Sequence, residues 1–462
     1  STIDHESIEA RVNLANLDHS IGNSLDAVKM YRKLLNLGHK QDRIIDSYNV
    51  ILRETNSQQE ALSMCQQHVS HGVQRQSSDR RIIALITHGR AGSLFFHSLF
   101  ETNKEISTLP GIYLKSWFAP DVHQRFQPDL ADKYWRENLI KKIVNDFEPM
   151  FDASSMKNVP GVPLGESTWL ARDLGMTSLG EDRNKVGKID HNAFAKHLLA
   201  KLSEKKQVTK LSLFEDIHDS LDLSTKKKAR ESRQIFFHIH NPTGTELAGF
   251  LDCYPRAKIV KLVRSPIQNL ESWFASLSLR SISNLKDLEK IDRLALMLRN
   301  WEKKVNRVIE YFSELNSPVN QLYDVRGVRL EDVKKNNGKE IMALLEKWWG
   351  IKCHSDTGES IAYGHRYWGP PSVSTSPISG FDDKALDHKD GREFGQRDIL
   401  ILKTLLWPFE KDFCYTSFSE EQFMQNLARI RPWLDEPFDF ERNMFDEIDH
   451  EKIKLEEVGP YI

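Results

Sequence analysis

Cysteine is scarce in this chain: there are four in 462 residues, Cys65, Cys253, Cys353 and Cys414, and no two form a CxxC pair. Such scatter is neither a disulfide framework nor zinc-ligand spacing. It fits a reducing compartment, and the cytoplasm is the expected location. Long apolar runs are missing as well, since none approaches the roughly 18 residues that a membrane helix needs. The opening stretch, Ser1–Ala10, is polar and acidic, unlike a signal peptide. An excess of one charge is also missing. Lys plus Arg number 64 against 66 for Asp plus Glu, a formal net charge of −2. That balance argues against a surface built wholly for nucleic acid or acidic membrane, and neither partner is expected. What remains is ordinary for a globular chain, with 39% hydrophobic and 28% charged residues. The length allows two or three domains.

A repeat comes first. Ala27 and Ala61, Met30 and Met64, Gly38 and Gly72, Leu14 and Tyr48, and Leu17 and Ile51 are each 34 apart. That period matches the helix–turn–helix spacing of tetratricopeptide repeats, although the Trp and Pro of the consensus are missing. Two unrelated helical hairpins would give a similar pattern. Residues 1–74 are thus expected to be an all-α helical-repeat region. Two repeats alone leave an apolar face uncovered, which invites a protein partner or self-association. Residues 75–80 read as a polar linker.

The pattern then changes. Arg81–Thr87 is a short apolar run that suits a buried parallel strand. A small-residue turn and the helix-like Leu94–Phe100 follow. Ala257–Val263 is a second such run, again ending in a basic residue, a turn and a helical stretch. Strands alternating with helices predict an α/β domain with a parallel sheet, over 81–415. Between them lies a long insert, about 120–230, expected to shape an acceptor pocket. Residues 293–312 carry apolar residues near helical spacing. Residues 364–396, rich in Gly, Pro, Ser and Asp, read as a long loop. A closing helix at about 397–412 precedes a polar C-terminal tail over 416–462.

Two segments carry chemistry. In Thr87–Phe95, Gly89 and Gly92 permit tight backbone geometry. The following helix start offers free N–H groups to an anion. Arg90 adds a permanent charge with a fork of donors, and Ser93 a hydroxyl. The loop lacks the Lys-Ser/Thr pair of a Walker A sequence. Many strand–turn–helix junctions carry Gly and Ser merely as caps, so the loop alone leaves the matter open. In Ile235–Pro242, His238 and His240 share one strand face. They could be metal ligands, but no third ligand is near in sequence. After the second strand, Arg264 ends the run and Ser272 lies eight residues on, along the next helix. A strand-end Arg and a helical hydroxyl can converge on one phosphate.

Together these segments resemble the sulfotransferase superfamily, which uses 3′-phosphoadenosine-5′-phosphosulfate (PAPS). Arg90, Ala91, Gly92, Ser93, Leu94 and Phe95 resemble its 5′-phosphosulfate loop, with Leu94 in place of a second hydroxyl. Aligning Pro242 puts His240 on the family's catalytic base and His238 on its Lys, a departure. Arg264 and Ser272 match its 3′-phosphate site. Arg392, before the closing helix, matches its basic C-terminal loop. The resemblance implies a P-loop-like parallel sheet flanked by helices and transfer of a sulfuryl group from PAPS to a hydroxyl acceptor. It implies no metal. A small molecule or carbohydrate is expected as acceptor rather than a protein. Two other readings stand beside it: a P-loop-type kinase, and a non-catalytic scaffold that uses the helical repeats.

Overall fold

The computed structural model describes most of residues 8–52, residues 78–155 apart from isolated positions, and 174–225. It also describes 234–272 (except 241 and 243), 323–351, 360–369, Gly391, and 394–440 (except 435 and 437). Most of the expected second repeat copy beyond residue 52, the helical pattern at 293–312, most of the loop at 364–396, and Arg392 lie outside the described residues.

Five strands form one sheet: β1 (Ile82–Thr87), β2 (Ile106–Ser107), β3 (Gln234–His240), β4 (Lys258–Val263) and β5 (Asp324–Arg329). Their order is β2-β3-β1-β4-β5, and every pairing is parallel. The α/β parallel sheet flanked by helices is therefore as the sequence predicts. Every residue of β1 is buried. This suits a central parallel strand, where both faces are covered and no polar alternation is needed. The chain leaves β1 towards β2 and β3, then crosses to β4 and β5 on the other side. The carboxyl end of β1 is thus the switch point of the topology, where open parallel sheets bind ligands.

The two sheet faces have different partners. Ile82, Ala84, Ile86, Phe237 and Ile259 pack with Phe118, Phe194, Phe214 and Phe250. Phe194 and Phe214 come from the insert helices His191–Ser203 and Lys210–Ser224, Phe250 from helix Gly244–Cys253, and Phe118 from a turn before the insert. Ile83, Leu85, Phe236, Val260 and Leu262 pack on Phe96, Phe100, Met342 and Trp349, from helix Ser93–Ser98 and the turn after it and from helix Lys339–Trp349. Parity along each strand does this sorting, because successive side chains point to opposite faces. Thr87, His238 and His240 share the second face by parity.

At the N-terminal end, Ala27, Tyr31, Leu34, Ile44, Tyr48 and Ile51 form a separate core. Helix Ser24–Asn36 belongs to it, and the rings of Tyr31 and Tyr48 stack at 5.7 Å. Ile45 packs on Ala248, so this helical region rests on the α/β unit. At the other end the closing helix is two helices, Gln396–Leu405 and Trp407–Asp412. Pro408 lies in the first turn of the second, where its missing N–H costs nothing but the preceding helix cannot continue. Helix Glu420–Ile430 follows. Asp398 holds residues 439–440, accepting from the N–H groups of Asp439 (2.8 Å) and Phe440 (3.0 Å).

Candidate functional site

The predicted site residues that the structure describes meet at one edge of the sheet, the carboxyl ends of β1, β3 and β4. The register explains this. Thr87 pairs with His240, and Leu85 with His238. Ile86 pairs with Lys261, so the turn after β1 lies level with Arg264 beyond β4.

The turn is built on two left-handed residues, Arg90 (φ 68°) and Gly92 (φ 80°). Glycine accepts that conformation freely, whereas arginine does so at a cost, of the order of 1 kcal/mol. A Cβ on Gly92 would also sit 2.7 Å from both methyls of Leu330. Gly92 then caps helix Ser93–Ser98, and its carbonyl accepts from the Phe96 N–H at 3.0 Å. Ala91 and Ser93 are buried, and Leu94 and Phe95 are half-buried. Leu94 packs towards the insert's aromatic core and Phe95 towards the opposite one. The ammonium of Lys334 stands 5.0 Å from the Phe95 ring centre. Lys334 is a buried cation beside this loop that the sequence reading missed; nothing in a short charged stretch marks it.

The Arg90 side chain crosses to the second motif: its Nε–H donates to Ser272 Oγ at 3.0 Å. Ser272 lies on the helical segment 266–272 after β4. Arg264, half-buried at the end of β4, donates from Nη2 to Gln268 Oε1 at 3.5 Å, a long contact. The neighbour of Ser272, Glu271, accepts from the N–H groups of Gly391 (2.9 Å) and Phe394 (3.3 Å). This carboxylate ties the segment on either side of Arg392 to the same helix.

The histidines differ sharply in setting. His238 is 2% exposed. Its Nε2 lies 2.8 Å from Thr87 Oγ1 and its Nδ1 lies 3.4 Å from the Gly111 carbonyl. Burial disfavours the charged ring and pushes its pKa down to about 4. His240 is half-buried at the strand end, with Nδ1 3.5 Å from the same Thr87 hydroxyl. The two rings stand edge to face at 5.3 Å. Thr87, fully buried between them, is a site residue the sequence reading did not single out. Its only signal is a hydroxyl closing an otherwise aliphatic strand. Deeper still, His97 stacks edge-on to His238 at 5.7 Å and meets Thr108 Oγ1 at 2.6 Å.

Among the described residues, no cluster of three or more His, Cys, Asp or Glu is arranged to hold a metal, and no helix is long and apolar enough to cross a membrane. What the edge offers is a set of cations and hydroxyls around glycine-permitted backbone, with a neutral imidazole alongside.

No family model and no curated protein matches the chain. Among solved structures it is similar to the sulfotransferase domain from the curacin biosynthetic pathway, at 14% identity and a TM-score of 0.39, over 74% of this chain and 99% of that one. It is similar to the sulfotransferase domain from the Synechococcus PCC 7002 olefin synthase at 12% identity and TM-score 0.32, over 78% and 98%. Sulfotransferase STF9 from Mycobacterium avium gives 12% and 0.29, over 79% of each chain.

Proposed function

We propose that this chain is a sulfotransferase that takes the sulfuryl group of PAPS and transfers it to a hydroxyl of a small molecule or carbohydrate. The observation that carries the reading is the 3.0 Å bond from Arg90 to Ser272. It joins two anion-binding motifs that were recognised separately, and it does so at the switch point of a parallel sheet. The donor set suits a nucleotide with phosphate groups at both ends. Two guanidiniums, two hydroxyls and the N–H groups of a glycine turn can all donate to phosphate oxygens.

Bound PAPS would supply an activated sulfuryl group on a phosphate leaving group. Arg90, Ser93 and the N–H groups around Gly92 would hold the 5′ end, with Ala91, Leu94 and Phe95 shaping the turn. Arg264 and Ser272 would hold the 3′-phosphate, and Arg392 would close over it. Charge of this kind, fixed in advance around a developing anion, is the main resource of such a site. His240 is the base: an imidazole half-buried at the strand end, where an acceptor hydroxyl would meet it. His238 is too deeply buried to meet a phosphate and acts as support for His240. The N-terminal helices, read as repeats, would contact a protein partner or a second copy.

Titration calorimetry with the desulfated product, 3′-phosphoadenosine-5′-phosphate (PAP), tests the reading. PAP should bind and ATP should not, and Arg264→Ala should weaken PAP by at least ten-fold. Equal binding of ATP and PAP would favour a kinase. No loss in the Arg264 variant would remove the 3′-phosphate site.

A further inference from the structure

The polar groups behind His240 form a line: the Gly111 carbonyl, His238, Thr87, His240. Each link is within hydrogen-bond distance, 3.4 Å, 2.8 Å and 3.5 Å in turn. Their donor and acceptor capacities leave one order of protons. The Gly111 carbonyl can only accept, so His238 carries its proton on Nδ1. With the ring neutral, His238 Nε2 is then an acceptor, and the single Thr87 hydroxyl proton goes to it. Towards His240, Thr87 Oγ1 has only a lone pair left. His240 Nδ1 therefore carries the hydrogen.

We infer that Thr87, set by His238 and the Gly111 carbonyl, is a positioning residue that fixes His240 in the Nδ1–H tautomer and leaves the Nε2 lone pair as the base. This deepens the sulfotransferase reading of the same site and rests on it for the word base, but the tautomer itself does not. Free histidine favours the opposite tautomer, with the proton on Nε2. A base in that form would present a hydrogen, not a lone pair, at its outer nitrogen. The order found here also survives the reaction step. When Nε2 takes the proton of an acceptor hydroxyl, the ring becomes imidazolium, and its Nδ1–H still donates to Thr87. No group in the line has to turn over. His238 stays neutral throughout, since burial holds its pKa at about 4.

The line is also rigid. Thr87 is fully buried in β1, and its register with His240 is set by the parallel ladder. His238 is clamped from its far side by the edge of His97, whose Nε2 meets Thr108 at 2.6 Å. A threonine in a strand has restricted χ1, so its hydroxyl direction is set by the backbone.

The experiment is nitrogen NMR of the full chain with ¹⁵N-histidine, above the titration range, with the His240 signals assigned by their loss in His240→Gln. The expected result is a protonated Nδ1 and an unprotonated Nε2 for His240 in the unsubstituted protein. Thr87→Val should move His240 to a majority of the Nε2–H form, and Thr87→Ser should restore the original pattern. A purely structural role for Thr87 would not move this signature. His240 with its proton on Nε2 in the unsubstituted protein overturns the inference, even if Thr87→Val fails to fold. An unchanged tautomer in a folded Thr87→Val overturns it too. Failure of PAP to bind, with the Nδ1–H tautomer observed, would instead sink the sulfotransferase reading and leave the positioning intact.

Discussion

The Nε of Arg90 and the hydroxyl of Ser272 are 3.0 Å apart across 182 residues of chain. Neither group can be moved alone. Arg90 reaches Ser272 from a left-handed backbone that arginine adopts at a cost, and Ser272 is buried on a helix whose next carboxylate, Glu271, holds the chain on both sides of Arg392. One contact thus connects three segments proposed to touch one nucleotide.

Ser272→Ala removes the acceptor but little volume. Its effect should appear in binding rather than in folding: PAP affinity about five- to ten-fold weaker, the equivalent of roughly 1–1.4 kcal/mol, with the melting temperature nearly unchanged. Arg90→Lys should fare worse, since an ammonium has no Nε–H and no planar fork. Calorimetric titration of both variants with PAP checks this.

Gly249 lies in helix Gly244–Cys253 where a Cβ would overlap the carbonyl oxygen of Phe118. Backbone cannot swing aside as a side chain can. Gly249→Ala should therefore destabilise the protein by about 2–3 kcal/mol despite alanine's better helix propensity. Urea denaturation would show it. An alanine that stabilises would mean this helix does not sit against the 118 turn.

Asp219 is paired with Arg80 at 2.8 Å and with Lys201 at 2.7 Å, and its side chain is 9% exposed. Burial raises its pKa, but Arg80 and Lys201 together more than offset this and hold it below the ordinary value. Asp219→Ala leaves Arg80 buried without its partner, a loss of about 3–5 kcal/mol. Chemical denaturation should find this loss much larger than that from Asp26→Ala, whose partner Lys29 lies on the surface.

Acid should weaken the fold through two buried histidines. Burial holds His238 at about 4 and His218 at about 3, while an unfolded chain titrates them near ~6.5. The native protein therefore binds fewer protons in between. Stability is full above ~6.5 and falls as pH drops towards the native values, by about 1.4 kcal/mol per pH unit for each group. His218→Gln should flatten this slope by one group's share. Denaturation midpoints at pH 7, 6 and 5 give the comparison, and an unchanged slope would mean His218 is protonated in the native state.

Much of this was legible in the chain, and for identifiable reasons. The β1 and β4 runs are aliphatic throughout because strands buried on both faces need no polar alternation. Each is followed by a turn, which placed the Arg90 loop and Arg264 at strand ends. The i, i+2 rule put His238 and His240 on one face. The closing segment reads in sequence as one helix despite Pro408, because its apolar spacing carries across the break that the missing N–H enforces.

Sequence alone could determine the class of fold and the segments that carry charge, because these depend on local periodicity and turn chemistry. It could not decide which segments meet. Strand order is set by long-range packing, and only that order brings β3 and β4 to either side of β1. Ser272 is an acceptor for Arg90, and Thr87 a link between two histidines, solely through that pairing. The difference between His238 and His240 is tertiary too: two residues apart on one strand, one is sealed under His97 and Gly111 and the other reaches the edge. Burial depth sets the charge a histidine can carry, and no local pattern encodes depth.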